Sequence, residues 1–323
     1  MMRRWLLFLC LSWVAFSLQG QNQFLFDSYY NNNYLVNPAI TGIERFVEVQ
    51  GLHRFQWVNV EGTPETSVFS IHAPLGNPLE QREYNQYKSY RNKQAPRYNF
   101  AYKPHHGVGV IVYRDRIGPF RTTEISPSYA YHQPLGKNLQ LSLGMAIGFI
   151  TSDLDLNFLQ AADPNDPLLT NANRQSLTTL KPGILISSRK IYLGLTATQG
   201  LREDFTQYTA IAGYRWTKAY SPFTVQPFFL YRINELQERN FDVGVKVDWI
   251  DMLFVGALYR STDEHTLFTG LNFNKNRMGF TFSFNSGTNQ NTVSDKGRNA
   301  SMEFALILRI SRRGQMPCYS TAR

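Results

Sequence analysis

Hydrophobic and polar residues alternate with period two along much of the chain, and the alternation is clearest from Leu139 to Ile150, LQLSLGMAIGFI. Leu139, Leu141, Leu143, Met145, Ile147 and Phe149 take every second place, with Gln140, Ser142, Gly144, Ala146 and Gly148 between them. Successive side chains of a β-strand point to opposite faces, so this stretch predicts a strand with one large apolar face and one small or polar face. A strand in an ordinary sandwich runs about 5 to 6 residues, whereas one tilted across a bilayer needs about 9 to 11. The length therefore predicts a membrane-crossing strand, apolar toward lipid and polar toward a lumen.

The same pattern predicts strands at 45–52 or slightly beyond, 66–73, 107–115, 125–132, 177–187, 191–199, 208–216, 224–234, 241–249, 253–260, 264–274, 277–285 and 301–310. In 241–249, Asp242, Lys246 and Asp248 share one face opposite Phe241, Val243, Val245, Val247 and Trp249, and in a barrel that charged face is the lumen. The weakest is 224–234, where Gln226, Phe228 and Leu230 do not alternate cleanly with Val225 and Phe229. The count is about 14, an even number as bacterial barrels have, so the expected fold is an all-β transmembrane antiparallel β-barrel. Pro127, Pro182 and Pro227 strain that reading, because proline donates no ladder hydrogen bond.

The connections supply a second check. PLGKN, SSRK, TKAYSP, WID and NKNR are short, as periplasmic turns are, whereas 153–176 and 286–300 are long and polar, as extracellular loops are. The polar stretch 74–105 breaks the rule: either it is a periplasmic insertion and a candidate docking element, or the strand count fails near its start. The expected organisation is a signal peptide at 1–20, a periplasmic, plug-like leading segment at 21–44, the barrel at 45–310 and a tail at 311–323.

Arg3 and Arg4, the apolar run Trp5–Phe16 and the small and polar residues to Gly20 form a secretory signal, too short to span a bilayer as a helix. Export by a Sec-type route with cleavage near Gly20 leaves Cys318 as the only cysteine, which excludes an internal disulfide and a thiolate zinc site. Beyond Gly20 no apolar run approaches the length of a spanning helix, so membrane residence must be as strands. Aromatic residues at 14% against charged residues at 18% suit a barrel with interfacial girdles. The net charge of +9 is scattered, with no basic helix or stripe, and this argues against nucleic acid as a partner.

Several stretches resemble the PorP/SprF family of outer-membrane proteins of gliding and type IX secreting bacteria. They are NPAITG at Asn37–Gly42; Arg54, Gln56 and Trp57 followed by EGTPET, with Glu61 and Gly62; RDRIGPF at Arg114–Phe120; YAYHQPLG at Tyr129–Gly136 with LSLGMAIG behind it; and ALYRSTDE around Arg260. The departures are the Tyr-rich insertion after Ala73, MEFALILRI in place of an expected His-Glu pair, and the tail 311–323. The resemblance implies an outer-membrane component of type IX secretion and gliding. Its implied partners are outer-membrane lipids and either a secreted, adhesin-like surface protein or the periplasmic ring components.

Candidate signature or partner-binding residues are Asn37, Pro38, Arg54, Gln56, Trp57, Glu61 and Gly62, with Asp115, Gly118, Pro119 and Phe120. Plainer roles compete: a Trp at the bilayer interface beside a closing loop, and a hairpin shaped by Gly and Pro. Arg215, Arg232, Asp242, Lys246, Asp248, Arg260, Glu303 and Arg309 can line a pore, grip a bound segment or pair with one another. His105 and His106 are adjacent, so on a strand they face opposite ways and cannot share a metal; they read as surface histidines. No G-x-S-x-G or P-loop is present, and no Ser, His and Asp set can be assembled by spacing, so neither enzymatic activity, metal nor cofactor is expected. A passive pore or small-solute transporter is the alternative function. Mass spectrometry of the exported protein should find its amino terminus at or beside Gln21; an uncleaved chain would refute the signal assignment.

Overall fold

The dyad pattern folds into staves of one closed sheet. In the computed structural model the described residues are 28–44, 46–56, 63–76, 104–136, 139–154, 175–188, 190–201, 206–217, 221–235, 238–250, 252–273, 277–287 and 299–310. The expected signal peptide and tail lie outside them, as do 77–103 of the expected polar connection 74–105 and 155–174 of the expected loop 153–176, whereas Pro74, Leu75, His105, Asp153, Leu154, Gln175 and Ser176 belong to strands.

The strands are β1 (Val47–Gln56), β2 (Glu65–Leu75), β3 (His105–Ile117), β4 (Phe120–Pro134), β5 (Leu139–Leu154), β6 (Gln175–Ser188), β7 (Ile191–Gly200), β8 (Thr206–Tyr214), β9 (Trp216–Thr217), β10 (Phe223–Asn234), β11 (Arg239–Trp249), β12 (Leu253–Arg260), β13 (Glu264–Phe273), β14 (Met278–Gly287) and β15 (Asn299–Ile310). Each pairs antiparallel with its chain neighbour, and β1 pairs with β15 from Val47↔Ile310 to Gln56↔Ser301, which closes the barrel. β9 resumes β8 beyond Arg215, since both pair with β10 in a single register, so the wall has 14 staves.

This topology sorts the connections. The chain enters β1 at the end where β4 turns into β5, β6 into β7, β11 into β12 and β13 into β14, and we call it the short-turn end. Because β1 and β2 are both staves of the closed wall, the count stands and the long β2–β3 connection leaves from this end as well. The opposite, loop end carries the β5–β6 and β14–β15 connections and the tight β3–β4 turn.

Burial separates the two faces. On β5, Leu143, Met145 and Phe149 are 49%, 49% and 52% exposed, whereas Ser142 and Ala146 are 0% and 5%. Large apolar groups that would be a liability in water therefore cover the outside, the arrangement required where the surrounding solvent is hydrocarbon.

Pro127, Pro182 and Pro227 all point outward from strand interiors. The β4–β5 ladder skips from Ile125↔Phe149 to Ser128↔Ala146, and the β6–β7 ladder from Leu180↔Gln199 to Gly183↔Thr196. Opposite Pro227 the break falls between β8 and β9. In each case the pairing resumes in the same register, so the missing N–H opens one side of the ladder without slipping the strand.

The lipid face sets a depth-dependent expectation. Ile147→Arg, near the middle of β5, should destabilise the barrel by about 2–4 kcal/mol in denaturant titrations in vesicles, and Thr151→Arg nearer the loop end by about 0–1 kcal/mol. Equal costs would contradict the membrane placement.

Candidate functional site

The lumen is occupied by the chain's own amino-terminal segment. Ser28–Asn31, Asn33–Leu35 and Pro38–Ile40 form three short 3-10 turns. Asn and Pro stop the segment from extending: the side chains of Asn32 and Asn37 accept hydrogen bonds from the amides of Tyr34 and Ala39, and Pro38 occupies the first turn position, where its lost N–H costs nothing.

Asn37 is fully buried and donates through Nδ2 to the carbonyls of Ile184 at 3.1 Å and Leu195 at 3.4 Å. Tyr34 and Thr41 share Ser128, at 2.7 and 3.0 Å, and Asn32 reaches Gln50 and Ser70. Toward the short-turn end three histidines hold the two peptides that flank Gly42. His132 Nε2 donates to the Thr41 carbonyl at 2.8 Å, His105 Nε2 donates to the Gly42 carbonyl at 3.3 Å, and the Gly42 amide donates to His72 Nδ1 at 3.2 Å.

The wall makes room for this segment by omitting side chains. A Cβ on Gly144 would lie 2.4 Å from the backbone of Pro38 and Ala39, and one on Gly107 would lie 1.9 Å from the Thr41 carbonyl oxygen. Gly42 itself has φ +67, which β-carbon-bearing residues rarely adopt, and packs directly on Gly107. The rest of the seat is apolar. Tyr29, Tyr30, Tyr34, Ala39, Ile40 and Ile43 form one buried cluster with inward-facing Leu185, Ile211, Phe228, Leu230, Phe254, Leu258 and Phe268. Tyr30 stacks on Phe268 with ring centroids 3.6 Å apart.

Charges on the wall are grouped. Arg260, with 0% exposure, bonds Asp242 at 3.1 Å and Glu264 at 2.7 Å, and Arg232 meets the other Asp242 oxygen at 2.8 Å. Arg54 faces Glu303 at 3.5 Å, Arg309 bonds Glu48 at 3.1 Å, and Lys246 lies 3.9 Å from Asp248 and over the Phe254 ring. Ionised groups withdrawn from water need opposite charge and hydrogen bonds, and these arrangements supply both. Between the segment and the loop end a cavity of about 190 Å³ remains, bordered by Tyr34, Ile111, Glu124, Lys181 and Arg232 among others.

The sequence from residue 18 to residue 300 matches the family described as type IX secretion system membrane protein PorP/SprF. The chain belongs to this family. Solved structures of similar architecture include the monoaromatic hydrocarbon channel CymD, at 10% identity and TM-score 0.50 over 90% of this chain and 94% of that one. Omp33 of Acinetobacter baumannii matches at 10% identity and TM-score 0.49, over 84% of this chain and 100% of that one. At such identities the likeness to CymD speaks for the outer-membrane barrel fold alone. No curated protein matches the sequence.

Of the positions singled out in this PorP/SprF sequence, Asn37 and Pro38 lie at mid-lumen in the segment just described. Arg54 and Asp115 come together with Glu303 on one cross-strand row, Glu303↔Arg54↔Thr66↔Asp115, facing the lumen near the loop end, where Thr66 donates to Asp115 at 2.6 Å. Gln56 ends β1, and its amide donates to the Pro64 carbonyl at 3.0 Å. Trp57, Glu61 and Gly62 lie outside the described residues. Gly118, at φ +55, and Pro119 make the two-residue turn between Ile117 and Phe120, and Phe120 is 60% exposed at its tip. Arg215 borders a small recess beside Tyr30 and Lys246.

His105 corrects the surface reading of that residue. His106 does point outward, where its Nδ1 lies 2.6 Å from the Tyr129 hydroxyl, but His105 turns into the lumen and stacks on His132. Sequence reasoning also missed Glu48, His72 and His132, each polar and buried on an inward position. The available signal was the row of inward glycines, Gly107, Gly144 and Gly183, since a wall needs missing side chains only where something packs against it.

Asn37→Ala removes the acceptor for Ala39 and the donor for two wall carbonyls. We expect the amides of 28–43 to exchange about 30-fold faster, from a loss of about 2 kcal/mol. Hydrogen-exchange mass spectrometry measures this, and unchanged exchange in a folded barrel would refute the seating role of Asn37.

Proposed function

We propose that this PorP/SprF protein serves type IX secretion as a non-enzymatic docking barrel, which binds an exported surface protein or the periplasmic ring components rather than passing solutes. The short-turn end faces the periplasm and the loop end faces outside. Family membership supplies the secretion context; the observation that carries the docking reading is the apolar cluster joining 28–43 to the wall at mid-lumen. A water-filled channel would line its middle with polar groups, whereas here Phe228, Leu230, Phe254 and Phe268 point inward and are covered by tyrosines. The polar wall and cavity toward the loop end favour a second reading, a passive pore.

Two measurements distinguish the readings. The full chain extracted from outer membranes should bring down a secreted protein or a ring component in near-stoichiometric amount, and deletion of its gene should abolish export of that surface protein. Export that continues after deletion would overturn the proposal. In planar bilayers the purified barrel should stay closed; steady conductance would favour the pore.

A further inference from the structure

Among the described strand residues, every Lys, Arg, Asp or Glu that points outward lies toward the loop end: Glu65, Arg114, Arg116, Arg121, Asp153 and Arg239. Five of them occupy four neighbouring strands. Arg116 stands directly opposite Arg121 and, on its other side, opposite Glu65; Arg121 in turn stands opposite Asp153. Arg114 is the next outward residue below Arg116 and pairs with Ser67 and Thr123. One step further down, the row Phe69↔Val112↔Ile125↔Phe149 is wholly apolar.

We propose that Arg114, Arg116 and Arg121 form a docking site for the phosphate groups of a phosphorylated glycolipid in the outer leaflet. The strand from His106 to Arg114 climbs about 20 Å once its tilt is allowed for, close to the height of the apolar band of such barrels. Arg114 therefore emerges where acyl chains end and headgroups begin. Like charges directly opposite on an antiparallel pair destabilise it, so Arg116 against Arg121 needs an anion nearby. Glu65 and Asp153 supply part of that. Among the described outward strand residues, two carboxylates stand against three guanidiniums, which leaves net positive charge on this patch, and three five-donor forks offer more N–H groups than two carboxylates accept. The planar fork matches phosphate oxygens, and at this height on the outer wall the neighbouring molecules are lipids.

The proposal rests on the orientation given above, with the loop end outside, and is independent of the secretion role. The full chain in detergent is mixed separately with bisphosphorylated lipid A, with lipid A stripped of its phosphates and with phosphatidylglycerol, and bound lipid is counted by native mass spectrometry. Wild type should retain bisphosphorylated lipid A about tenfold better than the stripped form. The triple variant Arg114→Gln, Arg116→Gln, Arg121→Gln should lose that preference while Arg239→Gln keeps it, each confirmed as folded by its heat-dependent gel mobility. Equal retention of the two lipid A forms by wild type overturns the proposal, whether or not the triple variant folds, as does a folded triple variant that keeps the preference. Preference for phosphatidylglycerol overturns it too and points to the opposite orientation, with the secretion role untouched.

Discussion

A strand in hydrocarbon has no water with which to pair its backbone, so every peptide group along the wall must find a neighbouring strand, and the pairing of β1 with β15 is what makes that possible. Without it two edges of unpaired N–H and C=O groups would face lipid. Closure also explains what the wall tolerates. Three outward prolines each leave a gap on one side of a ladder, yet the register continues past them, because bonded pairs on both sides of each gap hold the strands in place.

Closing the wall creates a second requirement. About eight strands enclose an interior that their own side chains can fill, but 14 enclose more than that. The space is filled with water, with another molecule or with the chain itself, and here residues 28–43 take the middle of it. The fit runs both ways: the wall gives up side chains at Gly107, Gly144 and Gly183, and the segment brings tyrosines and two isoleucines into one cluster with inward phenylalanines. Hydrogen bonds with Asn37 and the three histidines then orient the backbone.

In this type IX secretion membrane protein residues 28–43 sit in the middle of the lumen, so the docking proposal looks to its two ends. The short-turn end carries the long β2–β3 connection, and the loop end carries the polar row through Arg54 and Asp115. Under the docking proposal these are the places where a partner would meet the barrel without entering it.

The local pattern carried most of the wall. Fourteen staves, their order and their outward faces follow from period two and from the adjacency of consecutive strands, since both are written into neighbouring residues. β10 was hard to read because Phe228 and Leu230 turn inward toward the tyrosines of the amino-terminal segment, which breaks the apolar and polar alternation. Asn37 and Pro38 could be recognised as unusual, but their setting could not. The bonds that seat them join residues far apart in sequence, Asn37 with Ile184 and Tyr34 with Ser128, and no repeat along the chain encodes such a pairing. His105 illustrates the same limit: adjacency to His106 tells only that the two rings point opposite ways, and the folded lumen brings Gly42 and His132 to meet it. By itself the sequence determined a membrane barrel with small groups lining one side of β5. Tertiary structure decided that those small groups are a seat for the chain's own beginning, because packing inside a closed wall is settled by three-dimensional volume and not by periodicity.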